Sequence, residues 1–231
     1  MPSPSFLPIE LDLAATFLMA MTGVWVASRR GYDILGAFTL AFVSGVGGGL
    51  LRDSIFLSVP PAVMQDPLYL AAVMAAVAVG VLFHRYAQRF GRLVAYVDAI
   101  ALAVYAVVGA DKALVAGTAP LGAILIGMTN AVGGGLLRDI LVREEPLLFK
   151  PGQFYVLGAL GGCVLFVGLD YYYELPLQQA AAAGICATLV LRLFAILFNW
   201  KTLAVAAWRN PIPPPSTATD QHPAQSKEED S

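Results

Sequence analysis

Histidine and cysteine are almost missing from this chain, with two of each in 231 residues. His222 lies in the polar C-terminal stretch, and Cys163 and Cys186 stand apart with no CxxC spacing. A Cys/His metal cluster and a disulfide framework are therefore excluded, and both cysteines read as small core residues. No HExxH, GxSxG or Walker-type phosphate-binding run occurs either, so hydrolytic catalysis and ATP-driven pumping have no residues to carry them. No enzyme activity, resident cofactor or nucleic-acid partner is expected. Charge is scarce too. Asp, Glu, Lys and Arg make up 13% of the chain, against about a quarter in an ordinary soluble domain. The net charge of −2 says little about partners, because placement matters more than the total.

Apolar residues fill the space, at 58% with a mean hydropathy of +0.71. Runs of about 20 such residues, enough to cross a bilayer core, recur at 9–28, 33–57, 68–84, 96–115, 119–142, 154–169 and 177–200. The expected fold is an all-α polytopic membrane protein of seven transmembrane helices, one membrane domain over 9–200. Residues 1–8 form an N-terminal extension, and 201–231, rich in Pro, Ser and Gln, form a disordered tail. No Lys or Arg precedes the first run, which therefore reads as a span rather than a signal peptide. Arg29, Arg30, Arg85, Arg89, Arg92, Arg143, Lys150, Lys201 and Arg209 all fall in alternate connections. The opposite set holds Lys112 and the acidic stretch 170–174. The positive-inside rule then puts the N-terminus outside and the C-terminus in the cytoplasm.

Within this apolar background one heptapeptide, Gly-Gly-Gly-Leu-Leu-Arg-Asp, occurs at 47–53 and again at 133–139. The same offset of 86 residues pairs Asp12 with Asp98, Gly23 with Gly109, Gly31 with Gly117, Gly36 with Gly122, Pro60 with Pro146 and Tyr69 with Tyr155. The chain is a duplication, residues 12–83 and 98–169, with the span at 177–200 outside it. Three spans per copy is an odd number, so the second copy enters the membrane from the opposite side. Two inverted bundles related by a pseudo-two-fold axis in the membrane plane follow.

Gly47, Gly48 and Gly49, and their counterparts Gly133, Gly134 and Gly135, predict breaks in helices two and five. Consecutive glycines weaken a helix by about 1 kcal/mol each relative to Ala, and broken backbone at membrane depth survives only against protein or a watery cavity. Freed carbonyls at such breaks coordinate cations, so the triplets are placed on an ion path, with Ser44, Thr129 and Asn130 just before them. The single pairs Gly45/Gly49 and Gly158/Gly162, and the stripes Ala72/Ala76/Gly80 and Ala180/Gly184, are read as close helix packing.

Arg52, Asp53, Arg138 and Asp139 follow the triplets at membrane depth, where charge is costly and must face protein or water. Symmetry suggests cross-repeat pairs, Arg52 with Asp139 and Arg138 with Asp53. A structural lock and a place on the path, for Asp139 above all, both remain open. Asp12 and Asp98 are read as carboxylates at helix N-termini, with the lining of a vestibule as their other role. Lys112 and Arg192 are read as snorkelling to the interface, with voltage sensing the other role for Lys112. Trp25, Trp200, Trp208 and Tyr171, Tyr172 and Tyr173 are read as interfacial anchors.

The doubled heptapeptide, with Asp98 in the fourth span and Pro146 after the fifth, resembles the bacterial branch of the trimeric intracellular cation (TRIC) channel family over roughly residues 9–200. The resemblance implies a homotrimer in the lipid membrane, each protomer with its own pore for monovalent cations, potassium above all. It implies that Gly47, Gly48, Gly49, Gly133, Gly134 and Gly135 kink helices along that pore, with no metal beyond permeating K+. The KEV motif of animal members is absent, so their lysine-centred gating does not transfer to Lys112. The bacterial family has also carried a glycine-transporter label, which keeps a carrier of a small zwitterion as the alternative.

Overall fold

The computed structural model describes residues 7–85, 92–149 and 154–198. Arg89, Lys150, Lys201, Arg209, Trp200, Trp208 and the tail 201–231 lie outside them, so the expectations attached to those residues are left aside. The described residues form α1 (Ile9–Arg29), α2 (Ile34–Leu50, continued by a π-helical turn Leu51–Phe56), the short α3 (Ala62–Gln65), α4 (Pro67–Leu82), α5 (Leu93–Val115), α6 (Pro120–Leu141), α7 (Tyr155–Val167, continued by a π-helical turn Gly168–Tyr172) and α8 (Leu177–Phe198). Six helices are long and apolar enough to cross a membrane. The expected third span, α4, has 16 residues, about 24 Å at 1.5 Å per residue.

Local signals end and start these helices at matching places in the two copies. Gly31 and Gly117 both take positive φ, +70° and +82°, which a side chain would resist. Each terminates its helix with the same pair of bonds. Tyr32 N donates to Ala27 O at 3.1 Å and Gly31 N to Ser28 O at 3.2 Å, while Thr118 N donates to Ala113 O at 3.0 Å and Gly117 N to Leu114 O at 2.9 Å. That is a Schellman cap. Asp33 caps α2 by accepting from Gly36 N at 2.8 Å, and Asp66 caps α4 by accepting from Leu68 N at 2.8 Å. Proline opens α4 and α6, where its missing N–H is not needed.

Each repeat bundles its own three helices, α1 with α2 and α4, and α5 with α6 and α7. The bundles join through α1 against α5 and α2 against α6, and α8 packs on α5 and α7. Two contacts fix which connections share an end. Arg30 Nη2 meets Glu144 Oε1 at 2.6 Å, bringing the ends of α1 and α6 together. Leu7 N donates to Asp111 Oδ2 at 3.0 Å, bringing the start of α1 to the end of α5.

The expected breaks in helices two and five are not at the glycines. Helical structure runs uninterrupted through Gly47, Gly48 and Gly49 and through Gly133, Gly134 and Gly135. The triplets instead let α2 and α6 cross backbone against backbone. A Cβ on Gly48 would overlap Asn130 O, and one on Gly134 would overlap Ser44 O. A Cβ on Gly47 would lie 2.7 Å from Leu137 Cδ1, and one on Gly133 2.9 Å from Leu51 Cδ1. Exchanging the two repeats maps this set of contacts onto itself, so the pseudo-two-fold axis passes through the crossing. The departure from α geometry comes after the triplet, at Leu51–Phe56, and the matching residues of α6 stay α-helical through Leu141.

The packing expectations hold for Gly45 against Ala20 and for Gly158 and Gly162 against α8. Trp25 is not an anchor at the membrane surface. It is 3% exposed and its Nε1 donates to Gly80 O at 3.2 Å inside repeat 1. Cys163 is buried as expected; Cys186 is exposed.

Candidate functional site: two buried charge clusters

Asp12 stands in the first turn of α1, as expected of a carboxylate at a helix N-terminus, but its side chain faces inward and is 2% exposed. Its carboxylate gathers a donor from each neighbouring helix. Tyr69 Oη of α4 donates to Oδ2 at 2.7 Å, Lys112 Nζ of α5 sits 2.6 Å from the same oxygen, and Arg52 Nη1 lies 4.0 Å away. Lys112 therefore does not snorkel outward; it crosses from the other repeat to a buried anion, with its side chain 27% exposed.

Arg52 is held on three sides. Its Nε donates to Asp53 Oδ1 at 2.6 Å and its Nη2 to Asp53 Oδ2 at 3.1 Å, while Nη1 donates to Asn130 Oδ1 at 3.3 Å. Asp53 Oδ2 also accepts from Ala62 N at 2.9 Å, tying down the connection to α3. Asn130 Nδ2 in turn donates to Tyr105 O at 2.7 Å. Tyr105 Oη donates to Gly45 O and lies 2.7 Å from Thr16 Oγ1.

Repeat 2 builds the same triad at the other end of the bundle. Arg138 Nε donates to Asp139 Oδ1 at 2.9 Å, and Nη1 reaches Asp98 Oδ1 at 3.1 Å and Thr22 Oγ1 at 2.8 Å. Asp139 Oδ2 accepts from Leu147 N at 3.2 Å, as Asp53 accepts from Ala62. Asp98, unlike Asp12, lies beyond the first turn of its helix and is buried inside α5, so it is not at a helix N-terminus. Thr22 stands ten residues beyond Asp12 on α1, about 15 Å along its axis, which measures the separation of the clusters.

The cross-repeat pairs Arg52–Asp139 and Arg138–Asp53 do not form. α2 and α6 run in opposite senses from their crossing at Gly48 and Gly134, so the two Arg-Asp dipeptides are carried to opposite ends. Each arginine folds onto the carboxylate next in sequence and reaches the duplicated aspartate of its own repeat instead. Cross-repeat contacts do exist, through Lys112, Asn130 and Thr22. Of the other expected path residues, Ser44 is fully buried beside Gly23, with its hydroxyl lacking a hydrogen-bond partner among the described residues. Thr129 is not on the interior. Its hydroxyl bonds back to Leu125 O at 2.8 Å on an exposed helix face. Arg192 does not snorkel either. It is fully buried, with its guanidinium 4.7 Å from the Tyr155 ring centroid.

Sequence reasoning missed Thr16, Thr22 and Tyr105, which look like ordinary apolar-helix residues in the sequence. Tyr69 and Tyr155 carried a signal, since the 86-residue offset pairs them, but nothing in the sequence alone says that Tyr69 meets Asp12.

The repeat-1 cluster opens to two cavities. One, of about 270 Å³, is lined by Asp12, Tyr69, Asp111 and Lys112 among others; the second, about 340 Å³, by Asp53, Gln65 and Lys112 among others. Below them a gap of about 10 Å³ lies among Asp12, Gly45, Arg52, Tyr69 and Tyr105. That is room for about one water, so the space is tight beside Arg52 and Tyr105. Among the described residues no group of three His, Cys, Asp or Glu is placed to hold a metal.

This geometry can be compared with known proteins. The solved TRIC trimeric intracellular cation channel orthologue from Rhodobacter sphaeroides superposes with a TM-score of 0.78, at 34% identity, over 82% of this chain and 97% of that one. The chain belongs to the TRIC family. A second TRIC structure, from work on conductance through these cation channels, matches with a TM-score of 0.75 at 27% identity, over 86% of this chain and 97% of that one. The UPF0126 inner membrane protein YadS of Escherichia coli K12 is 32% identical over 192 residues, 83% of this chain and 92% of that protein. This chain also matches the family described as glycine transporter, over residues 10–85 and again over 95–171. Those two matches follow the duplication. Both charge clusters fall within those matched residues.

Proposed function

We propose that the protein is a passive channel for monovalent cations, potassium first among them, with one path inside each protomer of a homotrimer in the cell inner membrane. The observation that carries this reading is the Lys112 ammonium seated 2.6 Å from the buried Asp12 carboxylate. A monovalent cation already occupies the polar interior, between two cavities and the constriction at Arg52. The path runs from those cavities past Asp12 and Asp53, over the glycine crossing where Ser44 O and Asn130 O lie, to Asp98 and Asp139. Gly47, Gly48, Gly49, Gly133, Gly134 and Gly135 keep side chains out of that crossing. Charges at membrane depth mark such pathways. The kinship with solved cation channels supports the same reading.

The second reading is a secondary transporter of a small zwitterion such as glycine. It is favoured by the family description and by the pairing of a guanidinium with a carboxylate in each cluster, which could hold the two ends of an amino acid. Proteoliposomes loaded with potassium separate the two. Fast potassium efflux down its gradient, with no saturable uptake of labelled glycine, supports the channel. Saturable glycine uptake without ion leak supports the carrier.

A further inference from the structure

The two halves of the duplication leave the same pair of oxygens in different surroundings. In repeat 1, Asp12 Oδ2 accepts from Tyr69 Oη at 2.7 Å and from the Lys112 ammonium at 2.6 Å. The matching atoms of repeat 2, Asp98 Oδ2 and Tyr155 Oη, have no hydrogen-bond partner among the described residues. Both side chains are buried, at 1% and 3% exposure. Buried polar atoms are rarely left so, and each one calls for a reason.

The duplication supplies one. The residue that matches Lys112 in repeat 1 is Val26, so the ammonium that serves Asp12 has no symmetric counterpart. An ammonium is a compact monovalent cation, and its seat on Asp12 shows what this duplicated carboxylate accepts. At Asp98, Arg138 binds Oδ1 at 3.1 Å and leaves Oδ2 for another ligand. Gly135 makes room for the hydroxyl, since a Cβ there would lie 2.7 Å from Tyr155 Oη. Arg192 lies on the ring face of Tyr155, and Arg138 lies against Asp98.

We propose that Asp98 Oδ2 and Tyr155 Oη form a binding site for a monovalent cation, the repeat-2 counterpart of the position that the Lys112 ammonium takes in repeat 1. The site rests on the cation-channel reading and gives it a place where the ion pauses. The nearby positive charges of Arg138 and Arg192 keep the binding weak, as a permeation site requires if the ion is to leave.

Thallous ion, a monovalent cation with strong anomalous scattering, tests the site in crystals of the full-length protein soaked in a thallous salt. The expected result is an anomalous peak at Asp98 Oδ2 in the unaltered protein, lost in Asp98→Asn and in Tyr155→Phe. In Lys112→Met a second peak should appear at Asp12 Oδ2. Tyr155→Phe keeps the test valid where Asp98→Asn fails to fold. An unaltered protein with no peak at Asp98, or a peak that survives both substitutions, overturns the site. Potassium currents recorded from the same preparation separate the two claims. Currents without the peak reject this site and keep the channel, while a peak without currents keeps the site and rejects the channel.

Discussion

Lys112 is the residue on which charge and permeability meet. Replacing it with Met keeps most of the side chain's volume and removes the ammonium from Asp12. The carboxylate keeps Tyr69 and the more distant Arg52, so the fold should survive at a cost of about 3–5 kcal/mol at most. The freed anion faces the constriction, so potassium conductance should rise several-fold. Single-channel recording of Lys112→Met beside Lys112→Arg checks this; equal conductance in Lys112→Met and the unaltered protein rejects a blocking role. The neighbouring Arg52 makes a second test. The structure pairs it with Asp53 and not with Asp139, so a double-mutant cycle on thermal stability should show coupling of about 0.5–3 kcal/mol for Arg52→Ala with Asp53→Ala. The cycle with Asp139→Ala should be additive within about 0.5 kcal/mol. Non-additivity in the second cycle alone would restore the cross-repeat pair. The sequence pointed to these charges because ionised groups at membrane depth are rare. It did not reveal their partners, because symmetry alone suggested the cross-repeat pairs, whereas an arginine is long enough to fold onto the carboxylate next to it.

At the scale of the element, the glycine crossing sets the distance between α2 and α6. Even a methyl group on Gly48 or Gly134 would strike a carbonyl oxygen of the opposing helix. Either Gly→Ala substitution should therefore force the helices apart, cost about 1–3 kcal/mol as overpacking does, and reduce potassium current. Gly49 has only the flexible tip of Arg52 nearby, with Nη2 3.7 Å from where a Cβ would stand, so Gly49→Ala should be milder on both counts. Thermal melts and single-channel recordings of the three variants compare them; a Gly49→Ala cost equal to that of Gly48→Ala would remove the crossing as the reason for the triplet. The duplication and the apolar runs that become the seven membrane helices were legible in the sequence, while the caps at Gly31 and Gly117 emerged only from the structure. The glycine triplets were legible as special and misread as breaks. Low helix propensity and close approach leave the same residue in the sequence, and only the opposing backbone at Asn130 and Ser44 tells them apart.

For the whole molecule, the contacts Arg30–Glu144 and Leu7–Asp111 fix which connections share an end, and the positive-inside rule predicts that the Arg30–Glu144 end faces the cytoplasm. Single cysteines at Arg85 and at Glu174, in a protein lacking Cys163 and Cys186, should label oppositely with an impermeant reagent applied to intact cells: the Glu174 position labelled, the Arg85 position protected. Labelling of Arg85 from outside reverses the orientation. The central claim is that the two inverted bundles enclose a conducting path. Purified full-length protein in a planar bilayer with potassium chloride on both sides tests it most directly. The account predicts discrete current steps carried by potassium, larger in Lys112→Met and smaller in Gly134→Ala. A silent bilayer containing folded, oriented protein, together with saturable glycine exchange in vesicles of the same preparation, would contradict it.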